Sequence, residues 1–138
     1  MYQKLFFTSF IFVCIFSSCS KYKTCPVILN EAFTIANNTP ACNEKNNITI
    51  TFTKVENDSR CAIGAACIWQ GVATIKLTLK KETTEYPFTL HTLVPSVYGF
   101  NNDTVVAGYK IKLIQLDPYP VALQPIATEY KAKLIITQ

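Results

Sequence analysis

A period of two runs through much of this chain, and it restricts the fold more than any other feature. In residues 48–55, Ile48, Ile50 and Phe52 alternate with Thr49, Thr51 and Thr53. Only an extended backbone sends successive side chains to opposite faces, so the pattern predicts a half-buried strand. Residues 71–80 repeat it, with Ala73, Ile75, Leu77 and Leu79 inward and Thr74, Lys76, Thr78 and Lys80 outward. Residues 85–92 put Tyr86, Phe88 and Leu90 inward. Pro87 lacks the N–H of a ladder donor, which assigns that strand to an edge or a bulge. Residues 109–117 start with Tyr109, Ile111 and Leu113 inward, but Ile114 and Leu116 are apolar too. A bulge near Leu113 accounts for this change of phase, and so does burial on both faces. Residues 130–137 put Tyr130, Ala132, Leu134 and Ile136 inward and Lys131 and Lys133 outward. Residues 27–35 read as a weaker first strand.

The connectors carry turn formers, including Asn37-Asn38-Thr39-Pro40, Asn57-Asp58-Ser59, Asn101-Asn102-Asp103 and Pro118-Tyr119-Pro120. No segment shows a convincing helical stripe. The expectation is one all-β domain, an antiparallel β-sandwich of six or seven strands, with a β-barrel as the alternative. Its architecture is immunoglobulin-like without the immunoglobulin signature. Trp69 follows Cys67 by only two residues, too close to rest against an inter-sheet disulfide.

The first residues follow a different plan. Lys4 precedes an apolar run over residues 5–16, which ends in Ser17-Ser18-Cys19. A basic start, an apolar core and a small-residue exit are the parts of a secretory signal peptide, and the core is shorter than the roughly 20 residues of a membrane-spanning helix. The cysteine directly after two serines resembles the lipobox of bacterial lipoproteins, although Phe16 stands where Leu is commonest. The resemblance implies cleavage before Cys19 and a lipid on its thiol. The chain then divides into a lipoprotein signal peptide (1–18), a lipidated Cys19 with its tether (19–26) and the sandwich (27–138). It also implies the cell envelope as location, on the periplasmic or the exposed side of the outer membrane. Plain secretion after cleavage and an uncleaved anchor remain as alternatives.

Loss of Lys4 lowers the formal charge from +4 to +3. The lysines are spread along strands instead of clustering, so no nucleic-acid partner is expected. Of the six cysteines, Cys14 leaves with the signal peptide and Cys19 takes the lipid. Cys25, Cys42, Cys61 and Cys67 remain, an even set suited to two disulfides in an oxidising compartment. Pairing each with its nearest neighbour gives Cys25–Cys42 and Cys61–Cys67, one of three connectivities. Sixteen and five intervening residues do not resemble the tight cysteine pairs of structural zinc sites. No metal or other cofactor is expected.

The most specific stretch is Asp58-Ser59-Arg60-Cys61, five residues, then Cys67-Ile68-Trp69-Gln70-Gly71. It resembles a motif of small uncharacterised bacterial lipoproteins and secreted β-domains, often of the Bacteroidetes type. Ala62 stands where Pro is usual and Gln70 where Ala is common. The likeness covers about residues 48–136 and includes Leu116-Asp117-Pro118-Tyr119-Pro120. It implies fold and location but no activity. Physically, a Cys61–Cys67 bridge makes a rigid knot, in which Gly64 permits a tight turn. Arg60 has Asp58, Glu56 and loop carbonyls as candidate partners, and Trp69 can cover the disulfide or the core. The alternative makes the knot a binding platform, since Arg and Trp are frequent anchors. Asp58, Arg60, Trp69, Tyr98, Phe100 and Tyr119 are therefore the candidate binding or loop-structuring residues.

Residues for catalysis are sparse. His91 is the single histidine, expected on an outward strand face, and no serine sits in a nucleophile elbow. The carboxylates scatter over turns without pairing. Calcium through Asn101-Asn102-Asp103 would need more carboxylates. No catalytic residue is assigned. The expected function is a non-enzymatic binding or envelope-interaction module, attached to the membrane through Cys19, with an envelope protein or a glycan as partner. The alternatives are a structural accessory subunit and a protease inhibitor that uses the Cys61–Cys67 loop.

Overall fold

The computed structural model describes residues 27–93 and 99–138. Residues 1–18, the tether 19–26 with Cys19 and Cys25, and Tyr98 lie outside the described residues. Eight strands follow in chain order: β1 (Ala32–Ala36), β2 (Pro40–Asn43), β3 (Ile48–Asp58), β4 (Ala73–Lys81), β5 (Thr84–His91), β6 (Asp103–Val106), β7 (Tyr109–Asp117) and β8 (Lys131–Thr137). They form two four-stranded antiparallel sheets, β1-β8-β7-β6 and β2-β3-β4-β5. The chain is an all-β sandwich.

The alternating residues build the core. Ile48, Ile50 and Phe52 of β3, Ile75, Leu77 and Leu79 of β4, Ile111 and Leu113 of β7, and Leu134 and Ile136 of β8 are all buried. Removing each such side chain from water contributes about 1.5–3 kcal/mol. The flip in β7 is a bulge, with the register shifting between Leu113 and Gln115. It turns Leu116 into the core at 2% exposure and leaves Ile114 outside at 47%.

Several expectations need correction. Two short edge strands, β2 and β6, raise the count to eight. Both fall in stretches full of turn formers. Asn38, at φ 59°, turns the chain from one sheet to the other, with Asn37 N–H donating to the Tyr130 carbonyl and Asn38 N–H to that of Phe52. The expected strand over 27–35 is confined to Ala32–Ala36, because Asn30 at φ 68° breaks the extended run. Pro87 does lie on an edge, since β5 is last in its sheet. Burial fades along that strand from Leu90 at 0% to Tyr86 at 37%. A twisted edge strand diverges from the facing sheet, so Tyr86 is exposed, not inward.

The register sorts the connections between two ends. The turns at 44–47, 82–83 and 107–108 share one end, tied by Glu82 N–H to the Asn47 carbonyl and by Lys81 Nζ to the Ala107 carbonyl. Val27 docks there too, through its N–H on the Cys42 carbonyl and its own carbonyl under Asn43 Nδ2. The long connections 59–72 and 118–130 lie at the other end, beyond the last pairs Asp58–Ala73 and Asp117–Lys131.

Candidate functional site

The loop 59–72 leaves β3 through a narrow neck. Ser59 N–H donates to the Val72 carbonyl at 2.9 Å, Val72 N–H donates to Ser59 Oγ at 3.2 Å, and Cys61 N–H donates to the Gln70 carbonyl at 2.8 Å. Gly71 sits in this neck at φ 68°, and a Cβ there would strike the Ser59 carbonyl. Above it, Cys61 and Cys67 are joined by a disulfide. Within the bridge, Ala65 N–H donates to the Ala62 carbonyl at 3.0 Å, a turn allowed by Gly64 at φ 86°. Disulfides form and persist in oxidising surroundings, so the bridge indicates a compartment outside the cytoplasm. Cys42 is also disulfide-bonded. Its expected partner Cys25 lies outside the described residues.

Arg60 lies beneath the knot with its side chain 5% exposed, facing an Asp58 side chain 7% exposed. Its Nε donates to Asp58 Oδ1 at 2.8 Å and its Nη2 to Oδ2 at 2.7 Å, a two-pronged pairing. The remaining donors cross to the other sheet: Nη1 reaches the Leu116 carbonyl at 2.6 Å and Nη2 that of Pro118 at 2.9 Å. The Tyr119 ring covers the guanidinium, 4.8 Å from the centroid. Tyr130 OH donates to Asp58 Oδ2 at 3.3 Å. Burial tends to raise the Asp58 carboxyl, but the hydrogen bonds and charge of Arg60 outweigh it and hold the group below the usual carboxylate range. Burial, then the Asp58 charge, pushes the Tyr130 phenol above its ordinary value.

The loop 118–130 is thus strapped to the knot from below, and it is also paired beside it. Ile63 N–H donates to the Pro120 carbonyl at 2.9 Å, and Ala122 N–H donates to the Ile63 carbonyl at 3.0 Å. This makes a parallel bridge between Ile63 and Val121. The two loops form one apex.

The apex is apolar. Exposures reach 61% at Ile63, 106% at Ile68, 55% at Trp69, 43% at Tyr119, 39% at Val121, 106% at Leu123 and 86% at Ile126. Seven of the eleven exposed large hydrophobic residues among the described ones lie here, so this is a patch and not a scatter. Residues 61–70 and 118–128 contain no Asp, Glu, Lys, Arg or His. Two clefts flank the apex. One of about 510 Å³ is lined by Arg60, Gln70, Thr92, Gln115 and Tyr119 among others. The other, about 370 Å³, lies beneath residues 118–127 with Asp58 and Tyr130 in its wall.

Of the expected site residues, the fold brings Asp58, Arg60 and Tyr119 together as a brace. Trp69 is 55% exposed at the apex. Phe100 packs on His91 instead, rings 5.0 Å apart, while Tyr98 lies outside the described residues. His91 Nδ1 faces the Asn101 backbone, 3.2 Å from its carbonyl oxygen and 3.3 Å from its N–H nitrogen. No group of three or more His, Cys, Asp or Glu that could hold a metal occurs among the described residues. Among the described residues no helix is long and apolar enough to cross a membrane. Sequence reasoning missed Ile63, Ile68, Val121, Leu123 and Ile126. Their signal was an apolar stretch without charge in a connector instead of a strand. Comparison with protein-family models, curated proteins and solved structures finds no match to this chain.

Proposed function

We propose that the chain is an extracytoplasmic lipoprotein of the bacterial cell envelope, a non-enzymatic binding module tethered through a lipid on Cys19. Its contact surface is the apex. The observation behind this reading is polarity along the sandwich: Val27, where the tether enters, docks at the turn end, and the apolar patch crowns the other. A tether at one end leaves the apex free to meet an envelope partner. Cys42, itself disulfide-bonded, accepts from Val27 N–H and holds the start of the described chain to the sheet at this end. The motif's likeness to small bacterial lipoproteins supports the location.

The brace explains why Arg60 serves the fold. Its guanidinium is committed to Asp58 and to two backbone carbonyls, which leaves recognition to the apolar side chains above it. A protease-inhibiting loop presents an extended backbone to a cleft. Here the N–H and C=O of Ile63 are already bonded to residues 120 and 122, which favours recognition by side chains.

Intact mass of protein purified from bacterial membranes tests the tether. An acylated N-terminal Cys19, lost in Cys19→Ala, with a gain of about four hydrogens on reduction, is the expected result. An unmodified soluble chain in the wild type removes the anchor.

A further inference from the structure

We infer that the apex inserts into the interfacial layer of a lipid bilayer. This deepens the reading of the apex as the contact surface and rests on it, and its first two grounds, charge and shape, hold without acylation of Cys19.

Charge is the first ground. The two loops carry no Asp, Glu, Lys, Arg or His over residues 61–70 and 118–128, and Arg60 below them is neutralised by Asp58 at 2.7 Å. Entry into hydrocarbon therefore strips water from no charge. Backbone groups raise the same cost, and at the crossing of the loops they are satisfied within the protein: Ile63 is bonded to residues 120 and 122 on both its N–H and its C=O.

Shape is the second. Ile68 and Leu123 are each 106% exposed and Ile126 is 86% exposed, as open as in an extended chain. Such side chains stand clear of their own protein. A protein partner would need a matched recess for each, whereas fluid acyl chains close around any of them. Trp69 and Tyr119 supply amphipathic rings, which favour the headgroup level. Where the loop rejoins the sheet, Lys131 is the register partner of Asp117 and Glu129 lies two residues before it, so no headgroup charge is singled out and a zwitterionic surface suffices.

Reach is the third. Seven residues separate Cys19 from Val27, eight steps that span at most about 28 Å of extended chain. The eleven-residue β3 spans about 35 Å. With the sandwich lying along the membrane, a tether at one end and the apex at the other meet the same leaflet.

Trp69 is the only tryptophan in the chain, so intrinsic emission reports the apex alone. The probe is vesicles of phosphatidylethanolamine and phosphatidylglycerol, plain or with dibrominated acyl chains, added to the Cys19→Ala chain without the signal peptide 1–18. The expected result is a blue shift and quenching by the brominated chains. Replacing Ile68, Leu123 and Ile126 by Ser, all exposed and so harmless to folding, is expected to lower partitioning at least about tenfold, with an unchanged β-sheet circular dichroism spectrum. Unmoved emission in the wild type overturns the inference, as does a triple variant that partitions as well as wild type. A shift that appears with protein concentration alone assigns the apex to a second copy and also overturns it. A shift with detergent-extracted envelope proteins but not with vesicles overturns the lipid and leaves the apex as contact surface. No shift with either overturns both.

Discussion

Arg60 sits where two sheets must be held at one end, and its five N–H groups suit that task better than any other side chain. It bonds both oxygens of Asp58 and the carbonyls of Leu116 and Pro118, from a side chain 5% exposed. Arg60→Ala would leave the Asp58 carboxylate buried beside two unsatisfied carbonyls. The expected loss of stability is about 3–5 kcal/mol, the cost of breaking a buried pair from one side. Arg60→Lys is expected to recover only part, because one ammonium cannot serve the carboxylate and both carbonyls at once. Denaturant midpoints of the two variants check this. The same brace sets the pH range. Asp58 is depressed in the fold, so its contribution is present above the unfolded carboxylate value of 3.8 and disappears as pH falls through the folded value. Tyr130 is raised, so its contribution is present below the unfolded value of 10.0 and disappears as pH rises through the folded one. Stability is expected to be flat between these limits and to fall on both sides, with the acid limb much reduced in Asp58→Asn. Thermal unfolding across pH measures both limbs.

At the scale of elements, the strands that were legible in the sequence were those with one face in the core. β3, β4, β7 and β8 announce themselves by alternation, and even the β7 bulge is written in the step from Leu113 to Leu116. β2 and β6 were hidden because four-residue edge strands take their partners from the sheet and need little pattern of their own. The apex was legible only in part. The Cys61–Cys67 spacing and the Asp58–Arg60 pairing were readable locally. The zipper between Ile63 and Val121 joins residues nearly sixty positions apart, and no local pattern encodes it. Because that zipper and Arg60 also hold the knot, the disulfide is one restraint among three. Replacing Cys61 and Cys67 together by Ala is expected to cost about 2 kcal/mol, the loop-closure term for so short a ring. The sandwich should stay folded, since the core lies below the neck. Unfolding curves that retain a single cooperative transition at a lower midpoint would match this; loss of the β-sheet spectrum would not.

The whole molecule has an axis. One end gathers the short turns and Val27, held by the Cys42 carbonyl and the Asn43 amide; the other gathers both long loops and most of the exposed apolar surface. Composition could not reveal this, because a chain 49% hydrophobic says nothing of where its uncovered residues meet. The axis is a property of register: the β2–β3, β4–β5 and β6–β7 pairs are each closed by a short turn at one end, and β3–β4 and β7–β8 are joined by the long loops at the other. The most direct test is photo-crosslinking in intact envelopes, with a benzophenone-bearing residue at position 68 on the apex or at position 82 among the short turns. Adducts to lipid or protein that are markedly more abundant from position 68 than from position 82 are the expected result. Equal adducts from both positions, or adducts from position 82 alone, would contradict the apex as the contact surface.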